Sequence, residues 1–252
     1  MPEIVTVNLA TLPDRADLLY RTLRSLAGQA DLFRIYLDGH TTIPHVPDEV
    51  AGRTVFMRAR DDDRWRGDAG KFYWVEHDSG YHFSCDDDLI YPDDYVRRMC
   101  DAIEHYGRRA VIGVLGTRYH RPFNSYYLIP THVGEELLKV GVAHGLTEDW
   151  PCHGLGTGGL AYHTSTLRLR RDDFALPNMA DVWFARVAHD QNVPCIAIAR
   201  PRDWLVTMTP PKGTTIWEQW LERRDDQRQT KLIREVRHWA KLPPSSRRLA
   251  IH

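Results

Sequence analysis

Apolar positions along the chain fall into short runs whose spacing alternates between that of a strand and that of a helix. The β-branched run Ile4-Val5-Thr6-Val7-Asn8-Leu9 predicts a strand that ends at Pro13. Asp14 then stands where it would cap a helix with Leu19, Leu23 and Leu26 on one face. Phe33 to Leu37 predicts a second strand, followed by Asp38-Gly39, and Val55 to Met57 a third, followed by the polar loop Arg60 to Gly70. Tyr81 to Cys85 predicts a fourth. Pro92 suits a first helical position, with Val96, Met99, Cys100 and Ile103 at helical spacing behind it, and Val111 to Leu115 returns as a strand. Between Thr117 and Gly159, turn residues and aromatics predict inserted loops with one helix near Glu135 to Val140. Asn178 caps a helix through about His189, Cys195 to Ala199 is a strand, and the capping box Thr215/Glu218 starts a last helix that runs to about Lys241.

This alternation predicts an α/β fold with an open, mostly parallel central sheet flanked by helices, in which ligands bind beyond the carboxyl ends of the strands. Composition narrows the partners. The chain carries 33 Lys and Arg against 34 Asp and Glu, so no global field draws it to nucleic acid. Cys85, Cys100, Cys152 and Cys195 form no C-x-x-C pair, and the short opening apolar run lacks the flanks of a secretion signal; the expectation is reduced thiols and a cytoplasmic protein. No apolar stretch reaches membrane-spanning length, so contact with a membrane is expected to be peripheral, at the inner face.

The fourth predicted strand runs straight into Asp86-Asp87-Asp88. If the chain stays extended there, Asp86 and Asp88 point to one side and Asp87 to the other, as a support or helix cap. Two hard oxygen donors held together suit Mg²⁺ or Mn²⁺, ions that commonly bridge a ligand's phosphates. Asp93 and Asp94 read instead as acids at the positive start of a helix.

With that cluster placed, the chain resembles the inverting glycosyltransferases of family two, which have the glycosyltransferase A (GT-A) fold, a Rossmann-like nucleotide-diphospho-sugar transferase fold. Thr6 to Arg15 is similar to the first strand and turn that hold the donor nucleotide, including Thr11 and Arg15. Asp38 stands where such enzymes bind the base, usually uracil, although in Asp38-Gly39 it also reads as a turn former. Gly67-Asp68-Ala69-Gly70-Lys71 resembles their next nucleotide-contacting loop, placing Asp68 and Lys71 beside the donor, and Asp86-Asp87-Asp88 resembles the D-x-D signature. Gly158 to His163, then Phe174 and Met179-Ala180-Asp181, resembles the acceptor-side segment that ends in the catalytic base, here Asp181, which also suits the start of a helix.

The resemblance implies one GT-A domain over residues 1–252, with a donor-binding part at 1–116, an acceptor-binding part at 117–214 and a C-terminal helix and tail at 215–252. It implies transfer of a sugar from a nucleotide-diphosphate donor, a UDP-sugar first, to a carbohydrate or glycolipid acceptor, as in bacterial capsule or chondroitin-type synthesis. Mn²⁺ or Mg²⁺ would sit at Asp86 and Asp88, with Asp86 also near the donor. Three features depart from the pattern. Ala180 replaces the first acid of the usual Glu-Asp pair, Trp204 to Lys212 offers no histidine ligand, and no Q-x-x-R-W motif occurs. Trp65, Trp150, Trp183 and Trp204 are candidate platforms for sugar rings, and His153 and His163 are either structural or metal-completing. The alternatives are a sugar-phosphate nucleotidyltransferase, which usually wants a glycine-rich loop absent from Ala10 to Arg15, or a non-catalytic nucleotide-sugar-binding module.

Overall fold

In the computed structural model, which describes residues 3–62 and 64–243, an eight-stranded sheet runs through the molecule. Its strands are β1 (Val5–Thr11), β2 (Leu32–Leu37), β3 (Thr54–Arg58), β4 (Tyr81–Cys85), β5 (Val111–Gly113), β6 (Trp150–Cys152), β7 (Gly159–His163) and β8 (Cys195–Ala197), in the order β6-β8-β5-β7-β4-β1-β2-β3. The pairs β3-β2, β2-β1, β1-β4 and β5-β8 are parallel. β7 lies antiparallel to both its neighbours, and the edge strand β6 is antiparallel to β8. The mostly parallel α/β sheet is therefore present, with antiparallel strands set into one half. The helices are α1 (Ala16–Leu26), α2 (Asp48–Ala51), α3 (Tyr95–His105), α4 (Ala180–Asp190), α5 (Ile216–Arg223) and α6 (Gln227–Glu235).

The two faces of the sheet bury different helices. Leu19, Leu23 and Leu26 of α1 and Met99 and Ile103 of α3 are fully buried against Val7, Leu9, Phe83 and Ile112. On the other face Ala180, Phe184 and Ala188 of α4 and Phe72 pack on Val111, Leu160, Tyr162 and Ala197. Strand alternation sends neighbouring residues to opposite layers, as at Val111 and Ile112. Truncating any one of the α1 leucines to Ala is worth about 2–5 kcal/mol.

His82, on the α4 face, stacks between Phe72 and Tyr162, and its Nδ1 lies 2.5 Å from Oδ2 of Asp78, whose Oδ1 is paired with Arg34. Burial, reinforced by the Arg34 charge, holds its imidazole down at about 3. The unfolded chain takes up this proton near pH 6.5 and the folded protein does not, so the stabilisation is full above pH 6.5 and declines below it. Urea denaturation should show a loss of about 2 kcal/mol from this histidine between pH 7 and pH 5. His82→Phe, which keeps the stack, should flatten that slope; an unchanged slope would remove His82 as its source.

Several sequence expectations are corrected. Asp14 lies in a 3-10 turn, Pro13–Arg15, and α1 starts at Ala16 without a side-chain cap. Pro92 precedes α3 by a turn, and the end of α3 is satisfied from outside: Gln29 accepts from the Val96 N–H at 3.0 Å and donates to the Pro92 carbonyl at 2.9 Å. The helix expected at Glu135 to Val140 is a hairpin. Gly134 takes a positive φ of 59°, His132–Val133 pairs with Glu136–Leu137, and Lys139–Val140 pairs with Gly116–Thr117. The stretch from Thr117 to Gly159 thus holds strands, β6 of the main sheet among them. Asn178, at φ 58°, does not cap α4 with its side chain. The last helix is two, α5 and α6, divided at Arg224 with φ 52°, and neither reaches Lys241. The Thr215/Glu218 capping box does form: the Glu218 N–H donates to Thr215 Oγ1 at 3.0 Å. Among the described residues no helix is long and apolar enough to cross a membrane, and all four cysteines are free thiols.

Candidate active site

After β1 the chain builds outward through β2 and β3, then crosses back to lay β4 on the other side of β1. Strand order reverses between β1 and β4, and such a reversal leaves a crevice beyond the carboxyl ends of the strands. A cavity of about 330 Å³ lies there. Thr11 ends β1, Asp38 follows β2 and the acidic triplet follows β4, so all three strand ends deliver polar groups to it.

Asp86 to Asp88 do not continue the strand. The chain turns after Cys85, and all three acids line the cavity, which corrects the expected alternation. Tyr91 fixes the turn: its hydroxyl accepts from the Asp86 N–H at 2.9 Å and donates to the Gly158 carbonyl at 2.6 Å. From α1, Thr22 Oγ1 lies 2.9 Å from the Asp87 carbonyl and 2.8 Å from that of Leu89, and Met208 donates to the Asp88 carbonyl at 2.8 Å. Gly158 lets the Asp86 carboxylate lie directly against the backbone, where a Cβ would push that side chain aside.

Two cations answer three acids. Arg15 reaches Asp87 Oδ1 at 2.7 Å and Asp88 Oδ2 at 3.5 Å, and also donates to Thr214 Oγ1 at 3.2 Å and the Thr214 carbonyl at 3.0 Å. Lys71, buried, pairs with Asp86 and lies 3.4 Å from the Thr157 carbonyl. Burial alone would depress its ammonium, but Asp86, Asp68 and Asp181 together hold it above its ordinary range. The acids remain under-compensated. Burial, then the charges of Asp86 and Asp87, push Asp88 up to about 7. Asp87 is likewise raised by burial, and its Oδ2 is buried without a partner. Among the described residues no group of three or more His, Cys, Asp or Glu is placed to hold a metal by itself.

Opposite the acids, Trp65 is half exposed and donates from Nε1 to Asp38 Oδ1 at 2.7 Å. Burial raises the Asp38 carboxyl against that bond. Trp65 is the member of its set that faces this cavity. Trp150 and Trp204 are buried, with Arg118 and Arg98 over their rings, and Trp183 packs against the α4 core.

A second cavity, about 260 Å³, adjoins the first and shares Asp68, Asn178 and Ile216 with it. Asp181, in the first turn of α4, lines it. Its Oδ1 accepts from the Thr157 N–H and from Thr157 Oγ1, both at 2.7 Å, while Oδ2 takes a longer bond, 3.3 Å, from the Tyr126 hydroxyl. Asp68 Oδ2 accepts from the Ala180 N–H at 3.0 Å, supplying the cap that Asn178 does not. Burial pushes Asp68 up to about 6, against the pull of Lys71. Thus Thr11, Arg15, Asp38, Asp68, Lys71, Asp86 and Asp88 converge on the first cavity and Asp181 on the second.

His153 and His163 line neither cavity. His153 Nδ1 accepts from the Tyr119 N–H at 2.8 Å and its Nε2 faces the Ala240 carbonyl at 2.9 Å, while His163 sits with Glu3, Arg108 and Ser165. The sequence gives no direct signal for Thr157 or Tyr126 and offers Asn178 and Thr215 only as helix caps, yet all of these, with Thr214, Ile216 and Gln219, reach the cavities from far along the chain. The glycines around Thr157 were the one local signal, since Gly154 and Gly156 line the second cavity. No protein-family model matches this chain, and no curated protein matches it.

Proposed function

We propose that the chain is a metal-dependent inverting glycosyltransferase of the GT-A fold, taking a nucleotide-diphosphate sugar, UDP-linked first, and passing the sugar to an acceptor hydroxyl. One observation carries the reading: an acid-rich cavity at the strand-order reversal opens beside a second cavity that it shares Asp68 with and that adds a well-anchored carboxylate of its own, Asp181. A nucleoside diphosphate suits the first cavity in its parts. Trp65 offers a half-exposed ring to a base, Asp38 an acceptor to its N–H, and Arg15 and Lys71 positive charge to phosphate.

The acidic turn fits a hard divalent cation. Asp88 and Asp86 face the same cavity, burial and the charges of Asp86 and Asp87 raise Asp88 despite Arg15 and Lys71, and Asp87 keeps an orphaned buried oxygen. Mg²⁺ and Mn²⁺ commonly take one or two carboxylates and complete their shell with phosphate and water, so a third protein ligand is not required. When bound, such an ion supplies Lewis-acid stabilisation of the charge on the departing diphosphate.

The chain's own residues do the rest. Arg15 and Lys71 add fixed positive charge beside the leaving group. Asp68 holds the start of α4 through Ala180 and so positions Asp181. Thr157 occupies Asp181 Oδ1, which leaves Oδ2, held only by the longer Tyr126 bond, to take the acceptor hydroxyl's proton as that oxygen attacks the anomeric carbon. Entry of the acceptor oxygen on the face opposite the departing diphosphate, in a single displacement, would invert the anomeric carbon. A panel of UDP-sugars incubated with Mn²⁺ and a carbohydrate acceptor should release UDP and yield a product of opposite anomeric configuration. Failure of every donor to release a nucleoside diphosphate would refute the reading.

A further inference from the structure

Resting on that reading, the second cavity carries a feature that donor chemistry does not use. Lys139 lies in the short strand Lys139–Val140, paired to Gly116–Thr117, and lines the cavity half-buried. Among the described residues it is the cation lining that cavity, and its ammonium has no hydrogen-bond or ion-pair partner. Burial depresses it, and only the Asp181 charge acts the other way. An unpaired ammonium at a partly buried cavity wall keeps its donors free for an anion on a ligand. The same cavity is lined by Tyr126, Tyr127 and Trp217, aromatic rings of the kind that stack on sugar faces, with Trp217 46% exposed and so open to a ligand.

We propose that Lys139 is a specificity residue that binds an anionic substituent, a carboxylate or a phosphate or sulfate ester, on the carbohydrate acceptor. The acceptor is then an acidic sugar, stacked on the tyrosine and tryptophan walls, with its anion on Lys139 and its attacking hydroxyl turned to Asp181. A role for Lys139 as a mere counter-charge to Asp181 predicts something different, since losing it would then weaken neutral and acidic acceptors alike.

Binding is measured on the whole chain with UDP and Mn²⁺ present. Oligosaccharides ending in glucuronate, in a sugar 6-phosphate, in a sugar 6-sulfate and in neutral glucose are titrated into wild type and Lys139→Met. Wild type should bind at least one anionic series at least 10-fold more tightly than the neutral one, and which series identifies the anion. Lys139→Met should lose about 10–100-fold of that preference, as expected for a hydrogen bond to a charged group. Its affinity for neutral glucose ends and for UDP should stay within about 3-fold of wild type. Lys139→Arg should recover part of the preference. Equal binding of neutral and anionic ends by wild type overturns the proposal, as does an equal loss for both in Lys139→Met. The glycosyltransferase reading fails independently, by absence of UDP release from any donor whatever the acceptor preference.

Discussion

Asp181→Asn is expected to bind UDP as wild type does and to lose about 10²–10⁴-fold in transfer rate, the usual range for removal of a positioned base. The substitution is nearly isosteric, and the amide oxygen can keep accepting from Thr157 at 2.7 Å, so α4 should keep its place and thermal stability should change little. Asp181 lines the second cavity and not the first, which is why donor binding should survive. Rapid-quench or coupled UDP-release assays with saturating acceptor read the effect on kcat. Wild-type transfer by Asp181→Asn would place the base elsewhere; loss of UDP binding together with transfer would mean that the residue holds the site's shape.

Asp88→Ala should do the converse and abolish donor use. Asp88 faces the cavity, burial and its acidic neighbours raise it, and Arg15 only brushes it at 3.5 Å, so its main task in the proposal is to meet an ion on the diphosphate. Its loss should cost about 10²-fold or more in UDP release, comparable to removing one preorganised electrostatic group from an active site. Because the variant relieves carboxylate crowding, its stability without ligand should equal or exceed that of wild type. Asp87→Ala is the contrasting case. Asp87 is 2% exposed and tied to Arg15 at 2.7 Å, so its removal should lower stability as well as activity, leaving a half-buried guanidinium short of its main partner.

The strands of the sheet's first half were legible because β-branched and aromatic runs bounded by turn residues have few other ways to bury themselves. Tyr81 to Cys85 matches its predicted span, and Leu19, Leu23 and Leu26 are fully buried. Helix starts were less legible because their caps come from distant residues. α3 is met by Gln29 and α4 by Asp68, and neither lies within a helix turn of the end it satisfies. The hairpin at His132 to Leu137 was misread because Leu137, Leu138 and Val140 are apolar at spacings that suit a short helix as well as a buried strand; Gly134 with its positive φ decided for the turn. At the site, one run of sequence held the acids, and their strand-end position was readable. Their orientation was not, since it depends on the Tyr91 hydroxyl and the Gly158 carbonyl reaching in from elsewhere. Thr157 and Tyr126 show the same limit at Asp181, from 24 and 55 residues away.

The central claim is that the acidic turn after β4 holds a divalent cation against a nucleoside diphosphate. Calorimetric titration of UDP into wild type, first with Mn²⁺ and then after chelation, tests it most directly. The account predicts binding at least 10-fold tighter with the ion present and no such gain in Asp88→Ala. Equal UDP affinity with and without Mn²⁺, or the same Mn²⁺ enhancement in Asp88→Ala, would contradict it.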